Sequence, residues 1–161
     1  MASAPTAPSA PASKPAGSGK PSAPASKGGS DCPTLAPGHK YIWVDHIEGA
    51  MNNVVAADAQ MHCDPAMNEG AAYSHTGDLK TYGLSLEAKI TVILQNNPVT
   101  SDAKDGGLNG IAHVKACADP QGKQYMGTPL PAGYFCYGQN YYDVTVDSHN
   151  TITGMTELYG S

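Results

Sequence analysis

The clearest alternation of hydrophobic and polar residues in the chain lies between Gly83 and Gln95. One set of side chains falls on a single side: Leu84, Leu86, Ala88, Ile90, Val92 and Leu94. A period of two residues is typical of a β-strand with one buried face. The pattern predicts a long strand that ends before Pro98, because proline cannot donate a hydrogen bond to a β-ladder.

Four other stretches predict further strands. Residues 111–118 lie between two glycines and an Asp-Pro-Gln-Gly turn, and residues 134–147 and 151–159 follow. The residues Ser148, His149 and Asn150 separate the last two stretches, which predicts a hairpin. A short strand over residues 39–44 precedes all of these. We therefore expect an antiparallel sheet of four to five strands.

One stretch has the spacing of an amphipathic helix. Between Ile47 and Met61 the apolar residues recur in steps of three and four, and Asp45 is placed to cap the start. This predicts an α+β fold in which one helix packs on one face of the antiparallel sheet. If residues 52–57 are extended instead, the fold becomes an all-β sandwich.

The composition changes abruptly at Ser30. Residues 1–30 consist almost entirely of Ala, Ser, Pro, Gly and Lys, without an aromatic, acidic or cysteine residue. Such a segment cannot bury enough apolar surface to offset the entropy of ordering, so it is predicted to be a disordered, locally extended tether. Residues 31–161 have the length of one folded domain.

The tether, from Ala2-Ser3-Ala4-Pro5 to Lys27-Gly28-Gly29-Ser30, resembles the low-complexity segment that follows the acylated cysteine of Gram-negative envelope lipoproteins. The resemblance implies a mature protein whose precursor carried a lipid anchor. It also implies a location in the periplasm, in the outer membrane or outside the cell, where the protein would be antigenic. An artificial linker is the alternative interpretation of the same residues.

All four cysteines lie beyond the tether: Cys32, Cys63, Cys117 and Cys136. Their wide spacing, without a Cys-x-x-Cys pair, favours two disulfides over a zinc ribbon or a thioredoxin-like site. Three pairings are possible. We prefer Cys32 with Cys63, which would pin the start of the domain, and Cys117 with Cys136, which would join successive strands. Disulfides predict an oxidising compartment, whereas four free thiols would indicate the cytosol.

The charge balance excludes one class of partner. Three of the nine lysines lie in the tether, which leaves six lysines against fourteen acidic residues, a net charge of −8, and the chain has no arginine. Nucleic-acid binding requires clustered cations, so nucleic acid is not an expected partner. No run of 18 apolar residues is present, and the chain is not predicted to span a membrane.

Aromatic residues are concentrated in one short stretch. Five of the eleven lie between Tyr134 and Tyr142, beside Gly138, Gln139 and Asn140. Tyrosine combines apolar area with a hydroxyl group, so such a stretch is suited to stacking on sugars or anchoring a protein. Packing within the sheet is the alternative role. The predicted binding patch consists of Tyr134, Tyr137, Tyr141 and Tyr142.

Two other functions remain as alternatives. A small periplasmic enzyme would need Cys63 or Ser101 as nucleophile, with a histidine as base, and a metal-binding protein would need the histidines as ligands. The histidines considered for both functions are His62, His75 and His113.

Two further motifs lack the context that their chemistry requires. The loop with Asp102, Asp105, Gly106 and Asn109 offers oxygen ligands but not the EF-hand order for calcium. The string from Ser101 to Lys104 lacks the companion motifs of Ser-x-x-Lys enzymes. The sequence therefore predicts a monomeric, non-catalytic binding or structural domain without cofactor or metal, which contacts a protein or glycan.

Overall fold

The computed structural model describes residues 32–66, 70–95, 97–105, 110–122, 130–131 and 133–159, so the predicted tether over residues 1–30 lies outside the described residues. The described part contains six strands and one short helix. In chain order these are β1 (His39–Glu48), β2 (Asn53–His62), β3 (Ala72–Leu94), β4 (Asn97–Asp102), α1 (Gly110–Ala118), β5 (Tyr141–Val146) and β6 (Thr151–Glu157).

The strands form one sheet that closes on itself. The order is β2-β1-β5-β6-β3-β4, and β2 also pairs with β3, so that five strands make a barrel and β4 extends it beside β3. The β3–β6 pair is parallel and the other pairs are antiparallel. The predicted antiparallel sheet is thus wrong in this respect, and the sheet is mixed. The barrel has the strand order of the OB-fold, a Greek-key barrel that hosts many functions.

Side chains that alternate along the strands fill the barrel. In β1, Ile42 and Val44 belong to the core, while Trp43 between them faces outward. On β5, the core residue Tyr142 pairs with Ile42, and the core residue Val144 pairs with Lys40. The buried core also contains Ile47, Val54, Ala56, Tyr82, Leu84, Ala88, Ile90, Val92, Ile111, Val114, Ile152 and Met155.

The long predicted strand is confirmed as the second half of β3. Ala88, Ile90 and Val92 are completely buried, as the alternation predicts. Leu86 is the exception, because 65 % of its surface is exposed. The pairing of β3 with β6 is irregular between Leu84 and Lys89, and this bulge turns the Leu86 side chain away from the core.

The helix predicted between Ile47 and Met61 is wrong, since these residues form the β1–β2 hairpin. The turn requires left-handed backbone at Gly49 (φ 66°) and Met51 (φ 63°), a conformation that glycine adopts without strain. Val54 and Val55 follow in β2, where β-branched side chains pack well. The apolar residues that recur here in steps of three and four lie on two strands, not on one helix face. The hairpin brings Ile47 opposite Val54, and both side chains belong to the core.

The strand predicted over residues 111–118 is also wrong, because this stretch is the helix α1. Ile111, Val114 and Cys117 are buried at intervals of three residues, which is the spacing of one helix face. The segment is rich in alanine, the residue with the highest helix propensity. The helix packs against β1, β3 and β4, so the fold is roughly α+β, or mostly β, with the helix at a different place from the predicted one.

The predicted hairpin at the end of the domain is confirmed as β5 and β6. Asp147 organises its turn, since its carboxylate accepts hydrogen bonds from the backbone N–H groups of His149 (2.8 Å) and Thr151 (3.0 Å). Asn150 has left-handed backbone (φ 61°), which asparagine tolerates better than most residues. The strand β5 is shorter than the predicted one and begins at Tyr141.

Two disulfides are present, Cys32–Cys63 and Cys117–Cys136, and the described residues contain no free cysteine. This is the pairing that we preferred from the sequence. The first bridge ties the residues before β1 to the end of β2, and the second ties α1 to the segment that precedes β5. Disulfides persist in oxidising compartments, so a non-cytoplasmic location is indicated.

Candidate functional site

The four tyrosines of the predicted patch lie in different surroundings. Tyr142 is completely buried in the core. Tyr134 has its hydroxyl group on His113 in the interior, and Tyr141 lies on the outer side of β5. Tyr137 packs between two other aromatic residues near the end of the barrel. The structure does not bring these four side chains together into a single surface.

The exposed aromatic patch consists of Phe135, Tyr137 and Tyr159. The ring centroids of Phe135 and Tyr137 are 6.1 Å apart, and those of Tyr137 and Tyr159 are 6.0 Å apart with only 19° between the ring planes. Phe135 exposes 65 % of its surface and Tyr159 exposes 64 %. Such large aromatic side chains are usually buried, so their clustering in solvent indicates an interaction site.

Tight turns hold the patch at the end of the barrel. The N–H of Gln139 donates to the carbonyl of Cys136 (3.2 Å), and the N–H of Tyr141 donates to the carbonyl of Gly138 (2.9 Å). Gln139 and Asn140 both have left-handed backbone. The segment is anchored to α1 by the Cys136 disulfide, so the patch has a rigid base.

The Glu157 cluster, which comprises Glu157, His113 and Tyr134, lies inside the same end of the barrel. Glu157 accepts hydrogen bonds from the N–H groups of Ile93 (2.6 Å) and Gly138 (3.2 Å), and its Oε2 lies 3.0 Å from His113 Nε2. The side chains of Glu157 and His113 are completely buried. A buried carboxylate is costly unless it is paired and hydrogen-bonded, and Glu157 satisfies both conditions.

Two tyrosines, Tyr134 in this cluster and Tyr142 beside it, stay neutral at ordinary pH. Burial, with the nearby Glu157 carboxylate as a second cause, raises the pKa of Tyr134 to about 12 and the pKa of Tyr142 well above its ordinary value. The buried Tyr142 hydroxyl has no hydrogen-bond partner among the described residues. The interior at this end is therefore polar, with one carboxylate and several groups able to share protons.

A second aromatic group, the outer aromatic cluster, covers strand β1 from outside. It contains Tyr41, Trp43, Tyr73, His75 and Tyr141. The imidazole of His75 lies flat on the Trp43 indole at 3.9 Å, and the Tyr141 hydroxyl is 2.9 Å from His75 Nδ1. Burial raises the pKa of Tyr73 to about 12. Because Tyr41 and Tyr73 are largely covered, this cluster mainly attaches the β2–β3 hairpin to β1.

An ion-pair network lies where β1, β2 and β3 adjoin. The Asp58 carboxylate lies 2.7 Å from Lys40 Nζ and 2.5 Å from Lys80 Nζ. The hydrogen bonds to these two lysines lower the pKa of Asp58 to about 2. Lys40 also donates to the Tyr82 hydroxyl (3.0 Å), so a core tyrosine is tied to the network.

The structure separates the residues considered for the alternative function as an enzyme. Cys63 is bonded to Cys32 and has no free thiol. The Ser101 hydroxyl is buried without a hydrogen-bond partner in the described part of the chain, so no base is paired with it. His62 contacts Ser74 (2.6 Å) at the exposed end of β2. His75 and His113 lie in the outer aromatic cluster and in the Glu157 cluster.

The residues considered for a metal-binding alternative are also engaged in other contacts. His113, Cys117 and Glu157 bring three potential ligand atoms within 4.8 Å of one another. Cys117 is in a disulfide, however, and a disulfide sulfur is a poor metal ligand compared with a thiolate. In the calcium-like loop, Asp102 pairs with Lys89 and its N–H donates to the Asp105 carboxylate. Gly106 and Asn109 lie outside the described residues.

An apolar groove of about 400 Å³ lies on the other side of α1. Met51, Leu84, Leu86 and Ile111 line it, with Lys104 at the rim. Asp105 also lines it, and its carboxylate accepts a hydrogen bond from the Asp102 N–H (2.9 Å).

The predicted binding patch did not include Phe135 or Tyr159, and Glu157 was not predicted as a site residue. Glu157 is the one charged residue between His149 and the last residue of the sequence. It lies opposite Tyr142 in the β5–β6 ladder, so it faces the same side as a core residue. A single acid at an inward position of a strand is the signal that could have identified it.

Neither a membrane-spanning helix nor a similar protein gives further information about this site. In the described part of the chain, no helix is both long and apolar enough to cross a membrane. No known protein family matches the sequence, and neither a curated protein nor a solved structure is significantly similar to it.

Proposed function

We propose that this chain is a non-catalytic binding domain that acts outside the cytoplasm and contacts a partner protein through the exposed aromatic patch. The observation that carries this proposal is the exposure of Phe135 and Tyr159, about two-thirds of each side chain, on either side of Tyr137. Phe and Tyr are enriched at protein interfaces because they bury much apolar area when a partner binds.

The charge around the patch supports a protein partner. Residues 133–142 include no charged side chain, although the domain as a whole is acidic. The cores of protein interfaces are depleted in charge in the same way. Gln139, two residues after Tyr137, is exposed, and its side-chain amide is a hydrogen-bonding group for the rim of the patch.

The location we propose is the periplasm, the outer membrane or the cell surface. Two disulfides support an oxidising compartment. The resemblance of residues 1–30 to a lipoprotein tether supports a lipid anchor in the precursor, with the domain displayed as an antigenic monomer.

A glycan is the second candidate ligand, and one observation favours it. Tyr137 and Tyr159 stack with 19° between their ring planes, and Tyr159 is still 64 % exposed, which leaves an aromatic surface open to a ligand. Sugar rings present C–H groups on one face and can stack on such a surface, while their hydroxyl groups bond to neighbouring amides.

Site-specific cross-linking tests the protein partner. The photo-reactive residue p-benzoylphenylalanine is placed at Phe135 or Tyr159 in the full chain, within cells that produce the protein natively. Leu79 is the control position, since it is also apolar and 49 % exposed but lies on β3 outside the patch. We expect discrete protein adducts from both patch positions and none from Leu79, and Tyr137→Ser should remove them.

The same experiment has outcomes against the proposal. Identical adducts from Leu79 would show non-specific contact, and the absence of adducts from both patch positions would contradict a protein partner. In that case an array of neutral oligosaccharides, probed with the wild-type chain and Tyr137→Ser, decides whether the patch binds a glycan.

A further inference from the structure

The Cys117–Cys136 disulfide lies between the exposed aromatic patch and the Glu157 cluster. Cys136 is half-buried and is flanked in sequence by Phe135 and Tyr137, whereas Cys117 is buried. Cys117 Sγ lies 3.5 Å from His113 Nε2, one turn earlier on α1. Cys136 is thus the more exposed cysteine of the pair and adjoins the patch in sequence, and Cys117 has an imidazole behind it.

We propose that Cys117–Cys136 is a redox-active disulfide that oxidises a protein dithiol docked on the exposed aromatic patch, with His113 as the proton donor to Cys117. This adds one stoichiometric oxidation per chain, without turnover, to the proposed binding function, and only the docking of the dithiol rests on that function.

The order of the exchange steps follows from which of the two cysteines is the more exposed. A thiolate of the substrate attacks Cys136 Sγ and the S–S bond breaks, so that Cys117 leaves with the electron pair and takes a proton from His113 Nε2. The second substrate thiolate then attacks the mixed disulfide and releases Cys136 as a thiolate. The substrate becomes a disulfide, the protein becomes a dithiol, and solvent accepts the substrate protons and returns one each to His113 and Cys136.

The surroundings of His113 suit proton transfer because Nε2 faces the Cys117 sulfur and Nδ1 faces a hydroxyl group that fits either protonation form. Nε2 donates to Glu157 on β6 and faces Cys117 on α1. Nδ1 contacts the Tyr134 hydroxyl, which can donate to a neutral imidazole or accept from a protonated one. Tyr142 on β5 faces the same region, and the raised pKa values of both tyrosines keep them neutral.

The second disulfide provides an internal reference. Both sulfurs of Cys32–Cys63 belong to half-buried residues, and no described side chain makes a hydrogen bond to them. The neighbouring His62 contacts Ser74 instead. Cys32–Cys63 therefore lacks a proton donor for its leaving thiolate among the described residues.

Reduced glutathione, used as the probe with the full folded chain, tests this chemistry without a protein substrate. The reaction is quenched by acid and alkylation, and mass spectrometry gives the opening rate of each disulfide. We expect Cys117–Cys136 to open roughly tenfold or more faster than Cys32–Cys63, with glutathione attached to Cys136. The ratio of the two rates should rise as the pH falls, since proton donation assists only one bridge.

Two variants separate the proton donor from general destabilisation. His113→Gln keeps a hydrogen-bond donor for Glu157 but cannot release a proton, so the rate ratio should fall by roughly tenfold and lose its pH dependence. His62→Gln, beside Cys63, is the matched control and should leave both rates unchanged. If His113→Gln does not fold, the proposal is tested by two results on the wild type. These are the pH dependence of the ratio of the two opening rates and the cysteine to which glutathione is attached.

Equal opening rates for the two disulfides at every pH, or glutathione attached to Cys117, would overturn the proposal. A folded His113→Gln protein with the wild-type ratio would do the same. Failure of the cross-linking experiment at Phe135 and Tyr159 leaves these results unaffected, so the two proposals can fail separately.

Discussion

The carboxylate of Glu157 accepts hydrogen bonds from two backbone N–H groups and from His113, and the side chains of Glu157 and His113 are completely buried. Glu157→Gln replaces one carboxylate oxygen with an NH₂ group, which then faces an N–H donor. We expect a loss of about 2–4 kcal/mol in the free energy of unfolding, because a buried donor is left without an acceptor. Urea denaturation followed by circular dichroism measures this loss.

The matched control for this substitution is Glu87→Gln on β3. Its side chain is 82 % exposed and lies 3.9 Å from Lys104 Nζ. Exposed ion pairs contribute little, so the change should stay within about 0.5 kcal/mol. Equal, small effects of the two substitutions would contradict the role of Glu157 as the polar anchor of the barrel end.

Asp58 gives the residue-scale prediction for pH. Hydrogen bonds to Lys40 and Lys80 lower its pKa to about 2, below the ordinary value of about 3.9 in an unfolded chain. A lowered pKa in the folded state means that the stabilisation is present above about pH 4 and is lost as the pH falls towards about 2. The side chain is 45 % exposed, so screening limits the effect to about 1 kcal/mol or less.

Denaturation of the wild type and of Asp58→Asn at about pH 6 and at about pH 2.5 measures this linkage. The variant should be the less stable protein at the higher pH, and the difference should shrink at the lower one. A difference that stays constant over this range would mean that the ion pairs do not depend on the charge of Asp58.

At the scale of elements, the segment between α1 and β5 depends on one close approach of two backbones. A Cβ atom at Gly138 would overlap the Leu158 carbonyl oxygen and lie 2.6 Å from Glu157 Cγ. Gly138→Ala must therefore displace β6 or the patch segment. We expect a loss of about 2–4 kcal/mol, because backbone cannot move aside as easily as a flexible side chain.

Gly70→Ala is the comparison that separates crowding from backbone strain. Gly70 has φ 77°, and a Cβ atom added there would have no neighbour within 4 Å, so alanine meets only the left-handed backbone penalty. This costs about 1–2 kcal/mol. Thermal melts of both variants should rank Gly138→Ala as the more damaging, and the reverse order would argue against a tight contact at Gly138.

The elements also show what local patterns could and could not predict. The alternation in β3 and the turn residues before Thr151 are local, and both were predicted correctly. The steps of three and four between Ile47 and Met61 were misleading because a hairpin produces them as readily as a helix does. Gly49, Asn52 and Asn53 favoured the turn, since these residue types occur commonly in turns.

The candidate site was less predictable, because the sheet and its turns decide which aromatic side chains meet. Strand alternation directs Tyr142 inward and Tyr141 outward, while the left-handed residues Gln139 and Asn140 turn the chain away from Tyr137. Tyr159 joins the patch only through the pairing of β5 with β6. No local pattern shows that His113 and Glu157, 44 positions apart, meet in the interior.

At the scale of the whole molecule, closure of the barrel explains why the fold class was only partly predicted. A sheet with two edges and a closed barrel have the same alternation along each strand, so Ile42, Val44 and Tyr142 fit either one. Closure requires β2 to pair with both β1 and β3, and β6 to run parallel to β3. Parallel pairing needs a long crossover, which here includes α1 and β5.

The parallel β3–β6 pair has a consequence for when this protein becomes folded. Gly83 pairs with Thr151, which lies 68 positions later, and β6 fills the place between β3 and β5. A ribosome must therefore deliver β6 before the ring of strands is complete. Folds with such distant contacts form slowly, in milliseconds to seconds. Until β6 emerges the barrel cannot close, and an incompletely folded domain is the state that export across a membrane through a narrow channel requires.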